Sequence, residues 1–279
     1  MTEQPSSRFD DMALYDLQHV RNALTPLLTR PTPLTPDDLE PYDQLHYLGH
    51  RALDNAAARL GVAPGAEIVD IGAGLGGPAR YLADRYECRV TAVELQQELH
   101  ELSGELTSLC GLSERVRAVR ADALTLRGAP WSRRYDHLIS LLAILHIPRR
   151  EDLFDVFRDL LRPGATFYLE DFYARRPLTD RERGDLAALV ACPYLPDEAR
   201  YREDLTRAGL TDVTWTDATD LWAPWVHNRA ESFRQDYAKH ARLHGEPLAA
   251  RLLRFYDTVS GLFAGGGVGG VRLTGRRPG

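Results

Sequence analysis

Short apolar runs rich in β-branched residues alternate with stretches of helical spacing through the first 170 residues. The run at 68–71 is typical of a strand buried on both faces. Comparable runs lie at 89–93, 116–120, 135–141 and 166–170, and helical sequence separates them. Because strands and helices alternate at short spacing, we expect an α/β fold with a largely parallel sheet linked by crossover helices.

Both ends of the chain depart from this alternation. Apolar residues at helical spacing predict an amphipathic helix over 11–28 and another over about 50–60, ahead of the sheet. We interpret residues 1–60 as an N-terminal helical cap and residues 61–279 as the domain that contains the sheet.

The tail after the fifth strand contains two further short strands, predicted at 213–216 and 271–274. A long helical stretch over about 229–263 separates them, and we interpret 222–264 as a helical lid. Two late strands with a helical insertion predict an antiparallel edge of the sheet. The glycine run at 265–270 is either a hinge for the lid or a plain connector.

The predicted lid is rich in aromatic residues, which have two interpretations. They form an aromatic cage for a cationic ammonium group, or they form the apolar core of the lid. The residues are Trp222, Trp225, Phe233, Tyr237, Phe255, Tyr256 and Phe263.

A glycine-rich loop follows the first predicted strand. Gly72, Gly74, Gly76 and Gly77 allow a sharp turn and let a ligand approach the backbone closely. In open α/β sheets, ligands bind at this carboxyl edge. The spacing fits both the G-x-G-x-x-G of a dinucleotide fold and the G-x-G-x-G of an S-adenosylmethionine (SAM) loop, so it does not choose between them.

Acidic residues lie at the ends of four predicted strands. Asp70 lies within the first apolar run, where a carboxylate is costly unless something binds it. Glu94 ends the second strand at the separation expected for an acid that binds ribose hydroxyls, and Asp122 follows the third. Glu170 and Asp171 end the fifth; since adjacent strand residues face opposite ways, we expect one to face the pocket and the other solvent, without a metal.

Composition excludes several classes of function. The formal charge of −6 over 279 residues gives no basis for binding nucleic acid. The 3 cysteines lack metal-ligand spacing, and no apolar run approaches membrane-spanning length. Residues 1–10 contain no signal core or basic leader. We predict a cytoplasmic protein, monomeric or homodimeric, that acts on a small molecule and binds no membrane.

The sequence resembles class I SAM-dependent methyltransferases, and more narrowly the small-molecule enzymes related to sarcosine/dimethylglycine N-methyltransferases. Residues 69–82, which include the glycine loop, 43–49 and 161–165 carry the resemblance. It implies a Rossmann-like seven-stranded sheet that is mostly parallel with an antiparallel last strand. Helices are expected on both faces, with a lid from the N-terminal segment and the C-terminal insertion.

The resemblance also implies where SAM and its product S-adenosylhomocysteine bind. The loop glycines should lie under the methionine part of SAM, Glu94 should bind the ribose hydroxyls and Asp122 the adenine amino group. Leu95 or Gln96 should flank the adenine. The implied cofactor contacts are Asp70, Gly72, Ala73, Gly74, Gly76, Glu94, Leu95, Gln96, Asp122, Ala123 and Leu141.

Three polar residues are candidates for substrate contact or catalysis. His146 follows the fourth strand, and an unperturbed histidine pKa of about 6.5 suits proton removal near neutrality. A structural histidine that fixes a turn is the alternative. Gln44 and His46 lie in a segment expected to fold over the pocket, where they contact substrate or cofactor, or pack as helix residues.

We therefore predict a SAM-dependent methyltransferase that modifies N, O or C of a small metabolite, an amine or a natural-product intermediate among them. An NAD-dependent oxidoreductase is the first alternative, because it uses the same glycines. A SAM-fold cyclase or binding protein that does not methylate is the second.

Overall fold

The computed structural model describes Phe9 and residues 12–29, 33–128 and 130–279. Its centre is a seven-stranded sheet in the order β3-β2-β1-β4-β5-β7-β6. The strands are β1 Glu67–Ile71, β2 Arg89–Glu94, β3 Val116–Arg120, β4 Tyr135–Leu141, β5 Leu161–Ala174, β6 Thr211–Asp217 and β7 Val268–Arg276. The predicted fold class is confirmed.

Eleven α-helices surround this sheet in the described part of the chain. They are α1 Leu17–Leu28, α2 Pro36–Asp43, α3 His50–Leu60, α4 Gly77–Arg85, α5 Gln97–Leu109, α6 Arg150–Leu160, α7 Asp180–Leu189, α8 Glu198–Arg207, α9 Thr219–Gln235, α10 Tyr237–His244 and α11 Glu246–Ala264. None of these helices is both long enough and apolar enough to cross a membrane.

Parallel pairing of β1 through β5 brings the carboxyl ends of these strands to one edge. The last strand, β7, runs antiparallel to both β5 and β6 and lies between them. The two late strands thus form the antiparallel end of the sheet that the tail predicts, with β6 outermost. Crossover helices at short spacing account for the parallel part.

Apolar side chains on both faces of the sheet are buried in separate clusters. Val69 and Ile71 pack on one face with α6 and α8, whereas Ile68 packs on the other with α3 and α4. A strand buried on both faces reads as a continuous apolar run, because neither set of side chains meets water.

The tail differs from its prediction in three places. The long helix is divided into α9, α10 and α11. Gly245, at φ 87°, ends α10, and Pro247 lies in the first turn of α11. Helix α7 was not expected. Gly269 and Gly270 are strand residues paired with β5, so only the start of the glycine run is a connector.

The N-terminal segment also begins later than predicted. A short 3₁₀ turn covers Ala13–Tyr15, and α1 starts at Leu17, where Asp16 caps its first turn. The expected absence of a leader in residues 1–10 falls largely outside the described residues. The division at residue 60 and the lid at 222–264 stay predictions.

Gly270→Ala should destabilise the fold by about 1–3 kcal/mol, because an added Cβ would overlap the buried indole of Trp222. Urea unfolding measures this change. Gly104→Ala, inside α5 with open space around it, is the matched control and should be neutral or stabilising. Equal stability of the two variants would contradict the packing argument.

Candidate functional site

A cavity of about 370 Å³ lies at the carboxyl ends of β1, β2 and β4. Among the residues with predicted site roles, those that line it are His46, Asp70, Gly72, Ala73, Gly74, Glu94, Leu95, Gln96, Asp122, Ala123, Leu141 and His146. Gln44 and Gly76 do not line it. The topology therefore brings twelve of fourteen predicted residues to one place, because parallel strands end at the same edge.

Glycine is required in the loop after β1 for two different reasons. Gly72 and Gly74 have φ values of 76° and 54°, in the left-handed region, and both line the cavity. A Cβ on Gly72 would overlap Ala143 in the segment after β4. A Cβ on Gly76 would instead overlap Ser103 of α5, and the expectation that Gly76 lies under a cofactor stays a prediction.

Two backbone N–H groups hold the Glu94 carboxylate at the end of β2. Gly74 donates to Oε2 at 2.9 Å, and Gln96 donates to Oε1 at 2.8 Å. Burial raises the pKa of Glu94, and these backbone donors oppose the rise. Each oxygen keeps a further lone pair, so a fixed carboxylate here can accept two hydroxyl groups of a bound diol.

Asp70 is a buried acid in the cavity lining whose hydrogen bonding is incomplete. Its Oδ2 has no partner among the described residues. Burial, together with the nearby charge of Glu94, raises the pKa of Asp70 to about 7. Because buried polar atoms are almost always satisfied, this oxygen marks a position where a ligand donor or cation belongs.

Asp122 follows β3 at another side of the cavity. Its Oδ1 accepts a hydrogen bond from Leu124 N–H at 2.9 Å and so caps the short 3₁₀ turn Ala123–Thr125. This capping contact fixes the direction of the carboxylate relative to the lining residue Ala123.

His146 lies at the cavity wall with both ring nitrogens engaged. Nδ1 lies 3.2 Å from the carbonyl of Ala191, which only accepts, so Nδ1 carries a proton. In the neutral ring Nε2 therefore accepts a hydrogen bond from Tyr15 Oη, at 2.8 Å. Phe9 and Tyr15 pack edge-on against the ring, with centroids at 5.4 and 5.6 Å.

Sequence reasoning did not single out Tyr15. A contact that spans 131 positions leaves no local signal, and the residue lies in an amphipathic stretch with ordinary helical spacing. Burial raises the pKa of its hydroxyl, and Glu94 adds to that rise. Tyr15 is therefore a neutral hydroxyl beside His146.

A chain of hydrogen bonds ties the segment after α2 to the glycine loop. Arg80 Nη2 donates to Asp43 Oδ2 at 2.7 Å, and both side chains are buried. The Gln44 amide donates to Asp43 Oδ1 at 2.9 Å, and Gln44 Oε1 lies 2.5 Å from His46 Nε2. Gln44 thus holds its neighbours in place instead of lining the cavity.

The contacts predicted for Gln44 and His46 with substrate or cofactor stay predictions. Burial lowers the pKa of His46 to about 4, so its neutral imidazole is a weak base. Asp43 and Arg80 received no role from the sequence, although Asp43 lines the cavity. The sequence feature that could have indicated this pair is Arg80 itself, an arginine one turn into the helix that follows the glycine loop.

The family model described as a methyltransferase domain matches residues 68–164, which carry β1 through the start of β5. We name residues 68–164 the methyltransferase domain after the family model that they match. The resemblance predicted from the sequence is thereby confirmed.

Curated relatives of the methyltransferase domain are moderately similar. Glycine/sarcosine/dimethylglycine N-methyltransferase of Actinopolyspora halophila is 26% identical over 181 residues, which are 64% of this chain and 32% of the relative. Phosphoethanolamine N-methyltransferase 1 of Arabidopsis thaliana is 29% identical over 188 residues, with 65% and 37% covered. The chain thus spans about a third of the length of these two relatives.

A solved structure shows the same fold as the methyltransferase domain with its flanking helices. Haemonchus contortus phosphoethanolamine N-methyltransferase 2, in complex with phosphomonomethylethanolamine and S-adenosylhomocysteine, superposes with a TM-score of 0.84 at 16% identity. The match covers 100% of this chain and 61% of that one.

Glu170 and Asp171, predicted at the end of the fifth strand, lie within β5, which continues to Ala174. Glu170 pairs with Arg272 at 2.8 Å, and Asp171 pairs with Arg150 at 3.1 Å. Both acids are fully buried, and neither lines the cavity. The expectation that one faces the pocket and the other solvent is wrong, because the buried Arg150 pairs with Asp171 and the partly buried Arg272 pairs with Glu170. The described residues contain no cluster of three or more metal-ligating side chains.

Asp43→Asn should cost about 3 kcal/mol of unfolding free energy, since it leaves the Arg80 guanidinium buried without its counter-charge. Urea unfolding at neutral pH measures the loss. Glu105→Gln, which removes the exposed partner of Arg21, is the control and should leave stability unchanged. A cost as small as that of the control would show that the buried pair does not hold the loop.

Proposed function

We propose that the chain transfers a methyl group from SAM to a small-molecule acceptor at N, O or C. The observation that carries the proposal is the unpartnered carboxylate oxygen of Asp70, buried in a cavity beside Glu94 and the loop glycines. Two buried acids create a site that favours a cation, and the sulfonium of SAM is cationic. The methyltransferases named above support the same reaction class.

The residues present fit this cofactor. Gly72 and Gly74 leave a cradle that side chains would fill, beside Asp70. Glu94, held by two backbone donors, would bind the ribose hydroxyls, and Asp122 the adenine amino group. Leu95 and Gln96 would flank the adenine. When bound, SAM supplies an activated methyl group to this site.

The chain's contribution to methyl transfer is chiefly positional. Holding donor and acceptor in line and excluding water are the main requirements of such a displacement. Phe9 and Tyr15 line the cavity beside His146 and limit solvent access. The Ala191 carbonyl holds His146 Nδ1–H, which leaves Nε2 as the basic nitrogen. Nε2 is placed to take a proton from the acceptor once the Tyr15 hydroxyl no longer donates its hydrogen bond to Nε2.

An NAD-dependent oxidoreductase is disfavoured by the same geometry. A dinucleotide places its pyrophosphate at the N-terminus of the helix after the glycine loop. Here Asp43 and Gln44 pack directly against Gly77, the first residue of that helix, and a carboxylate repels a phosphate. A cyclase or binding protein that keeps SAM unreacted is distinguished by whether S-adenosylhomocysteine is released.

We further propose a cytoplasmic protein, monomeric or homodimeric, that binds neither nucleic acid nor membrane. The net charge of −6 supports this, because a phosphate backbone or anionic lipid surface attracts a basic face.

Glu94→Ala should weaken SAM binding by a factor of roughly 10 to 100, since two charge-assisted hydrogen bonds are lost. Isothermal titration of the full chain with SAM measures this, and micromolar affinity is expected for the unmodified protein. Glu98→Ala, one turn away and exposed, is the control and should bind normally.

Two results would overturn the proposed function. Tighter binding of NADH than of SAM would favour the oxidoreductase. Absence of S-adenosylhomocysteine release during incubation with a metabolite panel, despite SAM binding, would favour the non-methylating alternative.

SAM affinity should fall as pH is lowered below about 7, by up to roughly tenfold per pH unit. The raised pKa of Asp70 means that the free protein binds a proton there, and a cationic ligand must displace it. Titration between pH 6 and pH 8 measures the slope, which Asp70→Asn should flatten. An equal slope in Asp70→Asn would show that another group titrates.

The same raised pKa predicts a change in stability. The folded state binds more protons than the unfolded state between the ordinary pKa of an aspartate and about 7, so unfolding free energy falls as pH rises through this window. Relative to the parent chain, Asp70→Asn should therefore be more stabilising at pH 8 than at pH 5.

A further inference from the structure

A second, smaller chamber adjoins the donor cavity, which is the cavity of about 370 Å³ described above. It holds about 40 Å³ and lies among the N-terminal segment, α9 and α11. Tyr15, Leu45, Leu142 and His146 line both spaces and so form the partition between them. A molecule in the smaller chamber therefore lies directly behind the proposed base.

One cationic side chain enters this otherwise apolar lining. Arg229 of α9 lies between two aromatic rings, with its guanidinium carbon 5.2 Å from the centroid of Trp225 and 4.8 Å from that of Tyr256. Tyr47, Phe172 and Phe255 complete the aromatic surface. Stacking on both rings holds the guanidinium plane in a fixed orientation.

The hydrogen-bonding capacity of Arg229 is largely unused. Its Nη2 donates to Tyr256 Oη at 3.3 Å, and within the described ranges no carboxylate lies within salt-bridge distance of it. The neighbouring acids pair with other arginines: Glu231 of α9 and Asp257 of α11 with Arg234, and Asp16, which precedes α1, with Arg251. A guanidinium has five donors, and its planar fork matches a carboxylate or phosphate.

We infer that Arg229 binds an oxyanion of the methyl acceptor, and that this oxyanion is a carboxylate on an otherwise apolar molecule. A volume of 40 Å³ has room for roughly three water-sized groups, which suits a carboxylate better than a bulkier phosphate. The rest of the acceptor then extends from Arg229 past His146 into the donor cavity, where its reacting atom meets the donor. This inference rests on the proposed function and names its substrate class.

Two aromatic residues of the predicted lid therefore pack around Arg229 and do not form a cage for a substrate ammonium group. Trp225 and Tyr256 stack on a cation that belongs to the protein itself. Burial lowers the pKa of His46, and the charge of Arg229 adds to that fall. A second cation brought by the substrate would meet repulsion here. An anionic group would meet attraction, because a charge-assisted hydrogen bond to a guanidinium is strong.

Binding of matched ligands to the full chain saturated with S-adenosylhomocysteine tests the inference. The panel contains straight-chain carboxylates from acetate to hexanoate, phenylacetate, the alcohols with the same skeletons and the corresponding alkyl phosphates. Carboxylates should bind at least tenfold more tightly than their alcohols. Arg229→Gln should remove that difference and leave alcohol binding unchanged, and Arg229→Lys should retain part of it.

Arg254→Gln is the matched control, because it removes an exposed arginine of α11 and should not change the preference for carboxylates. Equal affinity of carboxylates and alcohols for the parent chain would overturn the inference, as would identical behaviour of Arg229→Gln and Arg254→Gln. Tighter binding of phosphates than of carboxylates would overturn the carboxylate assignment.

Failure of the two proposals is distinguishable. S-adenosylhomocysteine affinity of Arg229→Gln should equal that of the parent chain, since Arg229 does not line the donor cavity, and this equality also shows that the variant folds. If the variant does not fold, the parent chain and Arg229→Lys decide the outcome. If the parent chain does not bind the cofactor, the proposed function is wrong. If it binds the cofactor but shows no preference for carboxylates, only this inference is wrong.

Discussion

The hydrogen bond from Gly74 N–H to the Glu94 carboxylate is the contact on which the site depends. It joins the loop after β1 to the end of β2, and Glu94 is held a second time by the N–H of Gln96. Since the loop has glycines where it lines the cavity, its own side chains cannot fix its shape. The acid that faces the ligand therefore also builds the surface that the ligand approaches.

Burial of charge extends this principle to the far side of the loop. Arg80 lies within α4, directly after the loop, and its guanidinium reaches Asp43, Thr107 and the carbonyl oxygen of Leu75. A buried pair of this kind contributes little net stability compared with apolar packing, but removal of one partner is costly. The effect of the pair is positional, because it holds the segment after α2 in a single position against the glycine loop.

Prediction from the sequence succeeds where the structure is local and periodic. The bounds of α3, β3 and β4 agree with the structure because each has a clear apolar pattern between breaking residues. Sequence also places the acids Asp70, Glu94 and Asp122 at one edge, because parallel topology alone fixes that. The burial of Glu170 and Asp171 was missed, since it depends on arginines 102 and 21 positions away.

The tail shows the opposite limit. The glycine run suggests a flexible segment, yet Gly270 is a paired residue of β7. Because it has no Cβ, the indole of Trp222 packs directly against its backbone. The same holds for Tyr15 and Arg229, whose surroundings come from distant elements. Such residues have ordinary local patterns, so only the assembled fold distinguishes them.

The two spaces on either side of His146 carry opposite electrostatic character. The donor cavity contains the buried acids Asp70 and Glu94, whereas the smaller chamber contains Arg229. In the proposed reaction, a cationic donor would be attracted to the donor cavity and an anionic acceptor to the smaller chamber. This difference in charge would orient the two reactants, and His146 and Tyr15 would govern the proton and the exclusion of water between them.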